Sequence, residues 1–195
     1  MHPENNSNFE NISGKFLIAS PYFAFNPPFN KSLIYVASHT KEGSVGLIVN
    51  NLVNRMPFDS VLKMLKEDNS NAGDSALPIY VGGPVEPERG FILHTDEYDR
   101  NLLLRLSDNH LAVSSNVEIL RDIAHGAGPK NSLFVLGYTS WGPGLLEKEM
   151  SNNMWLVSDY DKSLMFSPND DKKWNEALAH IGIDNSLFYA TPGYC

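Results

Sequence analysis

The chain has 195 residues, of which 42% are hydrophobic and 19% charged, and these values are typical of one soluble globular domain. Its net charge is −8, and its 15 basic residues are spread thinly along the sequence. Because nucleic-acid binding depends on clustered cationic side chains, this distribution argues against direct binding to DNA or RNA. No apolar run approaches the ~20 residues that a membrane-spanning helix needs, so we expect no membrane insertion.

The two ends of the chain carry little recognisable chemistry. Residues 1–12 are polar and rich in asparagine, so they are predicted to form a disordered leader before a single domain at 13–195. They lack the basic and apolar regions of an export signal, which favours the cytoplasm. The one cysteine, Cys195, is the last residue, and this excludes an intramolecular disulfide and a cysteine-based metal site.

The first half of the chain is predicted to be mainly strands. Short β-branched and aromatic runs predict strands at 15–20, 32–38, 44–50, 78–82 and 89–94, and the leucine-rich run 102–106 is a candidate short edge strand. The residues 39–43 form a loop of hairpin length between the second and third strands. Pro57 suits the first position of a helix, and apolar residues recur with helical spacing from there to about residue 66. The polar stretch 67–76 is predicted to be a mobile loop.

The second half adds two helices and a hairpin. A strand at 111–113 leads to a helix in which Ser115 and Glu118 form a capping box. The apolar stripe of that helix is Val117, Leu120, Ile123 and Ala124. The runs 154–158 and 163–166 predict a closing hairpin, and Ser167 and Pro168 begin the last helix. Strands dominate without strict βαβ alternation, so the pattern indicates an α+β fold.

The segment 132–150 is the most distinctive part of the sequence. A buried strand at 133–136 is predicted to run into a glycine-rich turn that holds Tyr138 and Trp141. A short helix carrying Glu147 and Glu149 follows. Binding sites are often built where a strand ends and polar groups emerge, so this segment is the candidate site.

Several short motifs follow one another along the chain. They are Lys15-Phe-Leu-Ile-Ala-Ser-Pro21, His39-x-x-Glu42-Gly43, Gly46-Leu-Ile-Val-Asn50, Gly82-Gly-Pro-Val85, Leu93-His94, Gly137-Tyr-x-x-Trp-Gly-Pro-Gly144, Leu146-Glu-x-Glu149 and Trp155-Leu156. In this order they resemble the AlgH/YqgE family of small bacterial proteins, over residues 13–185. The resemblance implies a single domain whose strongly curved, bifurcated sheet forms a pseudo-barrel with about four helices outside. The family is often labelled a transcriptional regulator, a role that this acidic chain would perform through another protein.

Three positions depart from the pattern of that family. Leu145 stands where the family usually has glutamine, Asn26 replaces the aspartate of an Asp-Pro pair, and Tyr194 replaces the histidine of a C-terminal Gly-His pair. Two of these changes remove ionisable groups and one removes an amide, which argues against chemistry that needs them.

Phosphate and metal sites fit the residue pattern poorly. The glycine-rich turn lacks the Lys-Ser/Thr pair of a P-loop, and Glu147 and Glu149 would repel phosphate at the start of their helix. His39, Glu42, His94 and Glu147 could supply nitrogen and oxygen ligands, but their spacing matches no metal motif. We therefore predict no metal and no cofactor.

The remaining alternatives are a recognition surface and a hydrolase. Arginine and large aromatic residues carry binding energy at interfaces, although each of them could also simply fill the core. We predict one shared groove formed by His39, Glu42, Asn50, Gly83, Pro84, Arg89, His94, Trp141 and Glu147. It would serve a non-enzymatic, cytoplasmic binding or regulatory protein with a protein or small-molecule partner. The alternative is a hydrolase that uses His39 or His94 with Glu42 or Glu147, although no Gly-x-Ser-x-Gly elbow is present.

Overall fold

The computed structural model describes residues 11–21, 29–64, 66 and 76–184. Most of the predicted leader, the stretch 67–75, Asn26, Tyr194 and Cys195 lie outside the described residues. Ile12, at the end of the predicted leader, is described and is buried in the core.

The described residues form ten strands, five α-helices and one 3₁₀ turn. The strands are β1 (Phe16–Ala19), β2 (Leu33–Thr40), β3 (Gly43–Ile48), β4 (Leu52–Pro57), β5 (Ala76–Val81), β6 (Val85–Thr95), β7 (Leu102–Leu106), β8 (Leu111–Ser114), β9 (Ser132–Trp141) and β10 (Trp155–Ser158). The helices are α1 (Phe58–Met64), α2 (Val117–Ala124), α3 (Leu145–Ser151), α4 (Lys162–Met165) and α5 (Asp170–His180), and the 3₁₀ turn is Ser107–Asn109. None of these helices is long and apolar enough to cross a membrane.

One strongly curled sheet organises the domain as a half-barrel. Eight strands lie in the hydrogen-bonded order β10-β1-β2-β3-β9-β6-β8-β7, and β5 and β4 branch away from β9. Every pairing is antiparallel except that of β5 with β9. The predicted α+β single domain with a curved, branched sheet is therefore confirmed, with five helices in place of about four.

The core has one cluster on the inner face of the curl and two on the outer face. Tyr35, Phe91 and Val113 belong to the inner cluster, to which α5 contributes Trp174. An outer cluster lies under α3 and contains Ile34, Ile48, Trp141, Leu146 and Trp155. The other lies under α1 and α2 and contains Leu62, Ile92, Ile119 and Leu120. Buried side chains alternate between the faces because successive residues of a strand point to opposite sides.

Several strands extend further than the sequence predicts, among them β2 and β9. β2 and β3 leave a turn of only two residues, 41–42, so His39 lies in a strand and not in a loop. β9 continues to Trp141, so Tyr138 and Trp141 also lie in a strand and not in a glycine-rich turn. The physical reason is pairing, since Ser44 and Trp141 are partners in the β3–β9 ladder, which supplies their segments with backbone hydrogen bonds.

Several predicted elements near helix starts are wrong. Residues 163–166 are not a strand, because the Asp161 carboxylate accepts hydrogen bonds from two backbone N–H groups and begins α4. Asn116, not Ser115, caps α2, and this change of phase exposes Val117 and buries Ile119. The last helix begins at Asp170, two residues after Pro168. Strand β4 is absent from the sequence prediction, because most of its side chains are exposed and give no apolar run.

Close backbone contact at two glycines lets β9 bend against the segment before β6. Gly137 has a φ of +70°, and a Cβ atom there would lie 2.5 Å from the carbonyl oxygen of Gly83. A Cβ atom on Gly83 would in turn lie 2.2 Å from the carbonyl group of Tyr138. Only glycine fits both positions, so the bend is fixed by sequence.

The alanine variant Gly137→Ala tests this contact. We expect it to lower the free energy of unfolding by about 3 kcal/mol, because left-handed strain and a steric clash with backbone add together. Gly126→Ala is the matched control, since Gly126 has a φ of +72° and open space around its Cβ position, and its loss should be only about 1–2 kcal/mol. Urea unfolding would measure both variants. Equal losses would show that the contact at Gly137 contributes nothing.

Candidate functional site

The sheet places the predicted site residues in separate environments. His39, Trp141 and Glu147 lie together at the outer face under α3. Arg89 lies on the inner face, where it lines an apolar groove. His94 is buried beside Tyr98, whose ring belongs to the cluster under α1 and α2. The structure therefore brings three of the nine residues together and places Arg89 and His94 in other environments.

The remaining predicted residues occupy turns and connections. Glu42 and Pro84 are exposed, in the β2–β3 turn and in the β5–β6 connection. Gly83 makes the close backbone contact with Tyr138. Asn50 is a clamp within the fold: its Oδ1 accepts a hydrogen bond of 2.8 Å from the Leu33 N–H, and its Nδ2 donates one of 2.9 Å to the Lys31 carbonyl.

The environment under α3 contains a line of three polar side chains. His39 and Ser44 are cross-strand partners on β2 and β3, and the Ser44 Oγ lies 2.7 Å from the His39 Nδ1. The Glu147 Oε1 lies 3.9 Å from the His39 Nε2. His39 is only 2% exposed and Ser44 only 4% exposed, so the pair is closed to solvent.

Glu149 has a more definite role than Glu147. Its Oε2 accepts hydrogen bonds of 2.8 Å from the Trp141 indole and 2.7 Å from the Trp155 indole. The two rings meet edge to face with centroids 6.1 Å apart. One carboxylate thus satisfies both buried indole N–H groups and ties α3 to β9 and β10. The sequence gives no signal for this arrangement, because the two indoles come from β9 before α3 and from β10 after it, and only the folded sheet brings them to one carboxylate.

His94 is held inside the fold as a neutral side chain. Its Nδ1 lies 2.9 Å from the Thr95 carbonyl oxygen, and its Nε2 lies 3.0 Å from the Ser114 Oγ. Since a carbonyl group can only accept, Nδ1 carries the proton and Nε2 accepts from the serine. Burial lowers the pKa of His94, which agrees with the neutral form. Both ring nitrogens are therefore used within the fold.

An open apolar groove lies on the inner face of the sheet. Its volume is about 390 Å³. It is lined by Ala37, Val45, Leu47, Arg89, Phe91, Leu103, Leu104, Val113 and Tyr138. Leu103 and Leu104 are 52% and 42% exposed, and Val45 is 37% exposed. Of the predicted site residues, only Arg89 lines this groove. The leucines at 102–104, in the candidate edge strand, are the sequence feature that could have indicated an exposed apolar surface here.

Polar groups converge at one side of this apolar groove. The Arg89 guanidinium donates a hydrogen bond of 2.9 Å to the Glu86 carboxylate and lies 5.0 Å from the centre of the Phe91 ring. The Tyr138 hydroxyl donates a hydrogen bond of 3.1 Å to the same carboxylate, and this bond raises the pKa of Tyr138. Glu86 has a φ of +46°, in the irregular part of β6. A non-glycine residue in that conformation is uncommon.

In the part of the chain that the structure describes, no group of three or more histidine, cysteine, aspartate or glutamate side chains is placed to hold a metal ion.

Comparison with known proteins connects the chain to one family. The model of a family described as AlgH-like matches residues 16–186. A UPF0301 protein of Rickettsia typhi is 51% identical over 185 residues, which cover 95% of this chain and 96% of that protein. A UPF0301 protein of Rickettsia prowazekii shows the same identity and the same coverage.

Two solved structures share the fold. The solution structure of the AlgH protein from Pseudomonas aeruginosa is similar over 100% of both chains, with a TM-score of 0.73 and 32% sequence identity. A crystal structure of a protein from Corynebacterium diphtheriae covers 87% of this chain and 86% of its own, with a TM-score of 0.67 and 21% identity. The second likeness is one of fold alone.

The two glutamates of α3 offer a paired test of the indole clamp. Glu149→Ala leaves two buried indole N–H groups without their acceptor, so we expect it to lower the free energy of unfolding by about 2–4 kcal/mol. Glu147→Ala removes only a long contact with His39, and its expected loss is below about 1 kcal/mol. Urea unfolding followed by tryptophan fluorescence would measure both. The clamp would be refuted by a loss for Glu149→Ala no larger than that for Glu147→Ala.

Proposed function

The chain belongs to the AlgH-like family, and we propose that it is a non-enzymatic binding protein that recognises a partner through the apolar groove on the inner face of its half-barrel. Of the residues that the sequence predicts to form one shared groove, Arg89 lines this one. The proposal places the protein in the cytoplasm, where it would regulate another protein by binding it.

The observation that carries the proposal is the exposure of large apolar side chains around the groove. Leu103, Leu104 and Val45 are open to solvent while Leu47, Phe91 and Val113 line the space between them. Exposed apolar patches around a concave surface are typical of sites that bind a protein or an apolar ligand. A partner that covered this patch would gain the free energy of removing it from water.

The polar groups beside the groove support specific recognition. Arginine and tyrosine are the residue types most often found to dominate binding energy, and Arg89 and Tyr138 both lie in the lining. The Glu86 carboxylate orients them, since it accepts hydrogen bonds from both side chains. Tyr138 lies in the paired strand β9, and Glu86 and Arg89 lie in the irregular part of β6, where their hydrogen bond to each other and the bond from Tyr138 hold them in place.

A charge placed in the groove tests this proposal. We expect native mass spectrometry of the protein isolated gently from its own cells to show a co-purifying partner at fixed stoichiometry. Leu104→Glu should abolish that partner, because a carboxylate would have to be desolvated in an apolar contact. Val53→Glu is the matched control, since Val53 is 56% exposed on β4 and lies outside the groove lining.

Circular dichroism would first establish that both variants keep the fold. The proposal fails if the same partner accompanies the wild type, Leu104→Glu and Val53→Glu in equal amount.

The second candidate function is a hydrolase, and the alignment of Ser44, His39 and Glu147 is the observation that favours it. A serine hydroxyl against one imidazole nitrogen and a carboxylate near the other resemble a nucleophilic triad, although the two ring nitrogens are exchanged relative to the usual triad, in which the serine faces Nε2. Two features weigh against it: Ser44 is only 4% exposed, and the carboxylate lies 3.9 Å from the ring, beyond hydrogen-bond reach.

Ester hydrolysis separates the two functions. With p-nitrophenyl acetate as the probe, we expect Ser44→Ala and His39→Gln to hydrolyse the ester as slowly as the wild type. Ser140→Ala is the control, because Ser140 is an exposed serine on β9. A fall in rate of about 100-fold or more, confined to Ser44→Ala and His39→Gln, would establish the hydrolase instead.

A further inference from the structure

The apolar groove lies beside a sheet edge that has no strand partner among the described residues. β7 ends the strand order and is paired with β8 alone. An edge strand presents a row of backbone N–H and C=O groups that can pair with an added strand. Proteins usually protect such an edge with lysine, proline or inward-pointing charges. β7 instead exposes Leu103 and Leu104, with Arg105 as its one charged residue.

The same groove occupies the opening of the half-barrel. Ala37 of β2 and Leu104 of β7 both line it, although their strands stand five steps apart in the order β2-β3-β9-β6-β8-β7. The two sides are joined near β7, where the Asn109 side chain donates hydrogen bonds of 2.6 Å to the Gly14 carbonyl and 3.0 Å to the Tyr35 hydroxyl. A strand added to β7 would continue the curl of the sheet toward β2 and cover the apolar floor of the groove.

The register of β7 predicts which side chains the added strand would carry. Leu104 pairs with Val113, and both line the groove. Arg105 pairs with Ala112, so its side chain points to the opposite face, where it is exposed and lies 3.6 Å from Asp96. Alternate residues of an added strand would therefore face the apolar groove and the Arg105 side.

The charges near the β7 edge indicate which charge is favoured on the residues of the added strand that face the Arg105 side. Arg105 is the only charged side chain on β7, and Arg89 is the only charged side chain in the groove lining. Arg89 already has Glu86 as its ion-pair partner, whereas the Arg105 side chain, 3.6 Å from Asp96, stays 46% exposed, so a carboxylate on the outward face of the added strand would be favoured beside Arg105. A second copy of this chain is a poorer match, because its β7 would bring another arginine and each copy carries a net charge of −8.

We propose that the partner's binding element is an extended peptide segment of another protein, in which apolar residues alternate with aspartate or glutamate. It adds a strand to the outer edge of β7, with its apolar side chains in the groove and its carboxylates toward Arg105. Backbone hydrogen bonds to β7 supply affinity, and the groove and Arg105 supply specificity. This inference rests on the proposed function and names the class of partner for the same groove.

Selection from a displayed library of random peptides of roughly 12 residues, long enough for one strand, tests the inference on the full chain. Peptides retained by the wild type and lost on Leu104→Glu should alternate apolar residues with aspartate or glutamate. A fluorescein-labelled member of that set should bind Leu104→Glu and Arg105→Glu about tenfold more weakly or worse, and Val53→Glu as tightly as the wild type.

Backbone methylation of the same labelled peptide tests strand addition directly. N-methyl groups on alternate residues remove the donors along one edge of the peptide. Methylation of the edge that faces β7 should weaken binding about tenfold or more, while methylation of the other edge should leave binding unchanged. Binding of the unmodified peptide should also slow amide hydrogen exchange in residues 102–106.

Each contrary outcome identifies what has failed. Equal binding of the two methylated peptides, enrichment of basic or non-alternating peptides, or absence of any peptide that depends on Leu104 would overturn strand addition. Two further outcomes would overturn it. One is tight binding of a fluorescent fatty acid to the groove when no peptide binds there, and the other is self-association of the chain that is lost on Leu104→Glu. In all these cases a native partner that still depends on Leu104 would leave the proposed function standing, whereas a partner indifferent to Leu104→Glu would remove both.

Discussion

Pairing of β9 with three other strands is the constraint on which the rest of the structure depends. Residues 134–136 lie between β5 and β6, and residues 139–141 pair with β3. The change of partner occurs at Gly137, whose left-handed φ and contact with Gly83 bend the strand without steric conflict. Because β9 joins both branches, this bend sets the curl of the sheet and the position of the groove.

The same strand explains why the polar residues of the chain do not form one site. After the bend, β9 directs Tyr138 toward the groove and Trp141 toward the cluster under α3. His39 and Glu147 lie on the same outer face as Trp141. There the Glu149 carboxylate accepts hydrogen bonds from the indoles of Trp141 and Trp155. The groove on the inner face has an apolar lining with Tyr138 and one arginine, beside the edge strand β7, which has no second strand partner among the described residues. The exposed apolar side chains of the groove and the contacts of Glu149 with the two indoles therefore lie on opposite faces of the sheet.

The sequence predicts most of the sheet but little of the site. Apolar runs locate nine of the ten strands at least in part, since buried strands such as β1 and β2 have continuous hydrophobic patterns. β4 is not predicted because most of its side chains are exposed and form no apolar run. α4 is predicted as a strand because its short apolar pattern suits a strand equally well, and the helix depends on the cap at Asp161. The grouping of site residues depends on which face each side chain occupies. The bulge between Val36 and Ser38 shifts that alternation in β2, and no local pattern reports it.

The most direct test of a partner in the groove is photocrosslinking in the cells that make the protein. A p-benzoyl-phenylalanine residue would replace Leu104 in one variant and Val53 in a second, since both positions are exposed and only the first lines the groove. We predict that position 104 forms a crosslink to one partner, mapped to a single extended segment in which apolar and acidic residues alternate, and that position 53 does not. A crosslink pattern identical at the two positions, or none at position 104, would contradict the assignment of the groove as the binding site.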